Sequence, residues 1–151
     1  MKADQLKIFQ DITLAYFSKM LPQEKPPVLQ EPYLQFGTPV LRDYTSVVAI
    51  TGAYEGCLYL TTTPGVLDAL VIHLGEAETS ENNRLDMCRE LSNVLAGNAS
   101  HAFGAEWTIS VPRIITAENT ASLQLPPSTF IMPFLWKGFE SFLVVGLQPK
   151  E

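Results

Sequence analysis

The chain has 151 residues, 46% of them hydrophobic, which is enough for one domain with a sizeable core and excludes a disordered chain. Sixteen acidic residues outnumber ten Lys and Arg, giving a net charge of −6 with no basic run, so nucleic acid and anionic membrane surfaces are poor partners. No apolar run approaches the ~20 residues needed to span a bilayer, and the N-terminal MKADQLKIFQDITLAYF mixes charge into its apolar positions instead of forming a signal-peptide core.

The expectation is therefore a cytoplasmic protein with a single domain over 1–151. Leu6, Phe9, Ile12, Tyr16 and Met20 recur at intervals of three and four, which predicts an amphipathic helix over about 3–20, stopped by Pro22. Pro26, Pro27 and Pro32 predict an extended loop over the surface. TSVVAITG and GCLYLTTT are rich in strand-forming residues and flank a turn at AYE, so they predict a hairpin bracketed by Gly52 and Gly56. A further strand is expected near YLQFGTPVLR. Thr63 as cap, Pro64 in the first turn and Gly75 past the end frame a helix over 64–74.

Ser80 can cap a long helix and Gly104 can end it. Beyond it WTISVPRII, TASLQL, STFIMPFLW and FESFLVVGL read as strands. Lys137-Gly138 predicts a tight turn between the last two, and Pro133 argues for an edge or a bulge. Helix, strands, two helices, strands is an α+β order: a mostly antiparallel sheet with helices packed on one face.

The long helix carries a polar stripe. Asp86, Glu90, Asn93 and Gly97 are spaced i, i+4, i+7 and i+11, which at about 100° per residue puts them within roughly 60° of one another. Met87, Cys88, Leu91, Val94, Leu95, Ala99 and Ala102 cluster on another side. A solvated face explains two carboxylates. It does not explain Asn93 and Gly97 in a helix interior, where Gly costs about 1 kcal/mol relative to Ala. Close approach by another molecule would account for Gly97; so would packing against the N-terminal helix.

Other chemistry finds little support. Cys57 and Cys88 sit in apolar patterns without a CxxC and read as buried free thiols. The two histidines are far apart, and no metal site is expected. His73 falls in the last turn of its helix, where His is ordinary, and His101 reads as a surface residue. Ser92 and Ser100 flank the stripe with no base at a triad position. GxxxG in ITGAYEG is a hairpin turn and not a phosphate loop.

The pattern Asp86-x-x-x-Glu90-x-x-Asn93, continued by VLAGNASHAFG, resembles the signature helix of the CheC/CheX/FliY phosphatases, with the CheX branch the best match. The resemblance covers roughly residues 3 to 148, and a single signature helix is present, as in CheX-type proteins. It implies a CheC-like fold and hydrolysis of the aspartyl phosphate on a CheY-like response-regulator receiver domain. In that setting Asn93 would hold the attacking water and Glu90 would pair with the regulator's active-site Lys. For Asp86 a supporting contact and simple acidity near a basic rim both fit, and Gly97, with Gly104, would let the partner's loops come close. The chain would need no cofactor of its own, the Mg²⁺ being held by the receiver. The alternatives are a non-catalytic module that binds a regulator through the same acidic face, and a structural domain whose stripe is only solvated.

Assembly is a last expectation. Phe130, Met132, Phe134 and Trp136 alternate with Ile131 and Leu135, so this strand is apolar on both faces and needs cover on both. Together with the CheX resemblance this predicts a homodimer built on residues 126 to 148, with the Asn93 helices left open.

Overall fold

A computed structural model describes residues 1–76, 78–104 and 106–150. Eight strands form one sheet in which every pairing is antiparallel: β1 (Val28–Leu29), β2 (Tyr33–Leu34), β3 (Tyr44–Gly52), β4 (Tyr54–Thr62), β5 (Trp107–Ile109), β6 (Arg113–Ile115), β7 (Thr129–Trp136) and β8 (Phe139–Pro149). The order is β1-β7-β8-β4-β3-β5, with β2 beside β1 on β7 and β6 beside β5 on β3. The helices are α1 (Ala3–Met20), α2 (Pro64–His73) and α3 (Glu81–Phe103). None among the described residues is long and apolar enough to cross a membrane.

The helix ends follow their local chemistry. The Ser80 hydroxyl accepts from the Asn83 N–H at 3.1 Å, and Gly104 ends α3 in the left-handed region at φ 66°. Thr63 accepts from the Val66 N–H and Pro64 opens α2. Lys137 and Gly138 both have positive φ, 52° and 81°, and join β7 to β8 in the two-residue turn that matches strand twist.

Strand periodicity sorts side chains between two cores. On the helix side Val48, Leu58, Leu60, Met132, Leu143 and Val145 pack with Phe9, Phe17, Leu67, Leu91 and Leu95. On the other side Val47, Cys57, Tyr59, Ile131, Phe142 and Val144 pack under Ile115 and Leu123, with Val40, Leu41 and Leu125 against them. Strands that are apolar on both faces are thus covered by helices on one face and by the chain's own connecting segments on the other.

Four expectations change. TASLQL contains no strand; Thr120–Ser122 is a single 3-10 turn. The proline-rich loop is partly ladder, because Val28 and Leu29 pair with Leu135 and Phe134 of β7. WTISVPRII is broken at residues 110–112 into β5 and β6. The edge of β7 is not bare, since β1 and β2 strap it. Pro133 explains the gap between them: its carbonyl accepts from the Gln30 N–H at 3.0 Å, so its missing N–H faces the same strap.

Candidate functional site

Helix α3 lies against β3 and β4 with α1 on one flank and α2 on the other. Polar contacts from its neighbours help hold it there. Ser46 on β3 and Ser92 share a hydrogen bond of 2.8 Å, both fully buried. The Trp107 indole N–H donates to the Ala96 carbonyl at 3.3 Å. The Arg84 guanidinium grips both Asp68 carboxylate oxygens on α2, at 2.7 and 3.1 Å.

Met87, Cys88, Leu91, Ser92, Leu95, Ala96 and Ala99 are consequently buried, Val94 is half-buried and Ala102 is exposed. Asp86, Glu90, Asn93 and Gly97 are all exposed. The structure brings the four expected residues onto one open face. Asp86 pairs with Arg89 one turn on, at 3.1 Å. Gly97 has open space where a Cβ would stand, so it is not a packing contact with α1, and that explanation falls away. His101 is exposed beyond the stripe, where it helps line an open trough with Gly97, Gly104 and Glu106.

Glu90 sits between two hollows. Toward α2 it shares one with Val71, Glu76, Asp86 and Met87; toward α1 it shares the other with Tyr16, Lys19, Met20 and Val94. Leu74 lines both and divides them. Tyr16 is buried, which pushes its hydroxyl up to about 12, and the Glu90 carboxylate adds to the shift. Sequence reasoning assigned no site role to Tyr16, Met20 or Leu74. The one available signal was a Tyr at a core position that Phe would fill equally well.

Some other ionisable groups are structural. His73 pairs with Glu24 at 2.9 Å, and Glu24 with Lys137 at 2.8 Å, tying the end of α2 to the β7–β8 turn. Cys57 and Cys88 are buried free thiols, raised to about 11 and 12 by burial, which keeps them protonated and unreactive. Among the described residues no group of three or more His, Cys, Asp or Glu could hold a metal ion.

An antiparallel sheet carrying three helices on one face, the longest showing an open acid-and-amide stripe, defines a protein of the CheC-like class. Residues 44–134 match the family model of the chemotaxis phosphatase CheX, and the chain belongs to that family. No curated protein matches it. Among solved structures it is similar to the chemotaxis protein CheX from Vibrio vulnificus, with a TM-score of 0.80 at 19% identity over 97% of this chain and 100% of that one. A CheX from Desulfovibrio desulfuricans gives 0.77 at 21% over 96% and 99%. The CheX of a CheX–CheY–BeF₃–Mg²⁺ complex from Borrelia burgdorferi gives 0.72 at 19% over 97% and 99%.

Proposed function

We propose that the chain is a single CheX-like domain, cytoplasmic, that hydrolyses the aspartyl phosphate of a CheY-like receiver. Water attacks phosphorus in line, the bond to the aspartyl oxygen breaks, and inorganic phosphate leaves. The receiver supplies Mg²⁺ and a Lys to neutralise the phosphoryl oxygens; what it lacks is a fixed water. The Asn93 amide can accept one hydrogen bond from that water and donate another, and it places no negative charge beside the phosphoryl group. Glu90, one turn earlier, pairs with the receiver's Lys and orients the helix. Asp86 and the side-chain-free surface at Gly97 complete the contact.

The observation that carries this reading is the shared exposure of Glu90 and Asn93 on the outer face of a helix otherwise locked into the core, in a chain of the CheX family. The likeness to a CheX seen with a CheY, beryllofluoride and Mg²⁺ supports the choice of partner. The test is phosphate loss from a phosphorylated receiver with and without the protein. Loss above the receiver's own rate supports the enzyme. Complex formation without such loss supports the non-catalytic binding module, and neither outcome leaves only a structural role.

The homodimer through the C-terminal β region belongs to the same reading. That dimer is expected on residues 126 to 148; beside β7 the strap leaves Val28, Tyr33, Leu34 and Phe36 exposed, Phe36 to 79%, so the surface next to this region is apolar. Light scattering is expected to give twice 16.7 kDa; the monomer mass at micromolar concentration would exclude the dimer.

A further inference from the structure

The hollow between α1 and α3 holds about 280 Å³, and one of its lining residues, Tyr16, is at odds with its surroundings. Tyr16 is only 7% exposed, and its hydroxyl makes no hydrogen bond among the described residues. Tyr59, the other deeply buried tyrosine, gives its hydroxyl to the Val40 carbonyl at 2.8 Å. A hydroxyl at such a position stays cheap only while water or a guest reaches it, and a Phe would fill the same volume without that need. The Tyr16 hydroxyl is not fully buried; among the described residues Gln35 Oε1 is the one fully buried side-chain polar atom without a partner. It therefore keeps contact with solvent, and Tyr16 lines the same hollow as Glu90.

The walls say what fits. Met20 and Leu74 are 40% and 39% exposed and line it with half-buried Val94, so much of the wall is apolar. The polar lining is the Glu90 carboxylate, the Tyr16 phenol and the Asn98 amide. Lys19 is the cation on the rim, at the end of a flexible stem, while Glu76 and Asp86 face the adjoining hollow across Leu74, Asp86 being paired with Arg89. A guest with an apolar stem and a cationic, donor-rich tip matches this arrangement, and a lysine side chain is such a group.

Resting on the phosphatase reading, we propose that Tyr16 is a second acceptor, beside Glu90, for the ammonium of the receiver's lysine. Met20, Leu74 and Val94 clasp the stem of that lysine. The clasp excludes water from the Glu90 ion pair, which strengthens it and makes the geometry of α1 part of the choice of receiver.

The test is the Tyr16→Phe variant, which keeps the ring and removes only the hydroxyl. The probe is a CheY-like receiver that the unsubstituted protein dephosphorylates, loaded with beryllofluoride and Mg²⁺. The variant is expected to bind it about tenfold more weakly, the loss typical of a hydrogen bond to a charged group. With the phosphorylated receiver, KM should rise about tenfold while kcat is retained. Against a receiver whose active-site lysine is replaced by methionine, the effect of Tyr16→Phe should vanish. Unchanged affinity in Tyr16→Phe, or a loss that persists against the methionine receiver, would overturn the proposal while leaving the phosphatase reading intact. Failure of the unsubstituted protein to act on or bind any receiver would overturn both.

Discussion

Ser46 on β3 and Ser92 on α3 share a hydrogen bond of 2.8 Å in the core, one residue away from the exposed Asn93. The Ser92 hydroxyl also meets the Arg89 carbonyl at 3.0 Å. This contact fixes how α3 is rotated on the sheet and so which stripe faces outward. Ser92→Ala strands the Ser46 hydroxyl where water cannot reach it, and should cost about 1–3 kcal/mol in urea denaturation. Replacing both serines by alanine should cost less than the two single changes added together.

Asn93→Ala should leave the fold intact, because the side chain is exposed and makes no hydrogen bond among the described residues. Losing the positioned water should lower phosphate release by about 10²-fold. A variant as fast as the parent would remove Asn93 from the mechanism.

Glu90→Ala should act on affinity. A charge pair buried between two proteins costs ~2–5 kcal/mol when one partner is removed, part of it from the stranded lysine. Titration at low salt reads this directly, and an unchanged dissociation constant would rule out an ion pair at Glu90.

Gly97 separates stability from function. With open space at its Cβ position, Gly97→Ala should raise stability by about 1 kcal/mol through helix propensity. A bulky Gly97→Trp should fold equally well and block receiver binding. Normal binding by that variant would show that no partner approaches α3 there.

The Glu24 carboxyl is held below the ordinary carboxylate range, chiefly by its hydrogen bond from Lys137, with burial opposing and the charges of Lys137 and His73 adding. A lowered folded-state value means that its stabilisation is present above about pH 4.3, the ordinary Glu value, and is lost as pH falls through the folded value. Glu24→Gln should therefore lower the melting temperature near neutrality, and the gap to the parent should close on acidification below about pH 4. A gap that is constant with pH would mean that the carboxylate charge contributes nothing.

The sequence by itself determined the features whose causes are local. Ser80 and Gly104 delimit α3 because a cap needs only its own first or last turn. Lys137-Gly138 makes a hairpin turn because backbone twist is settled within four residues. The stripe from Asp86 to Gly97 lines up because helical spacing is a property of the helix alone. The α+β order, the helices on one face and the CheX family are legible for the same reason.

Tertiary structure decided what depends on distant neighbours. Gly97 could have been packed or open, and only the position of α1 leaves it open. Pro133 read as a strand edge, yet the strap at 28–35 covers that edge and opens its own gap where the N–H is missing. TASLQL has strand-like residues but no partner strand to pair with, so it turns and lays Leu123 and Leu125 over the second core. Tyr16 read as core until α1 and α3 came together and put it in the lining of one hollow with Glu90. Burial and adjacency are sums over residues far apart in the chain, so no short window of sequence contains them.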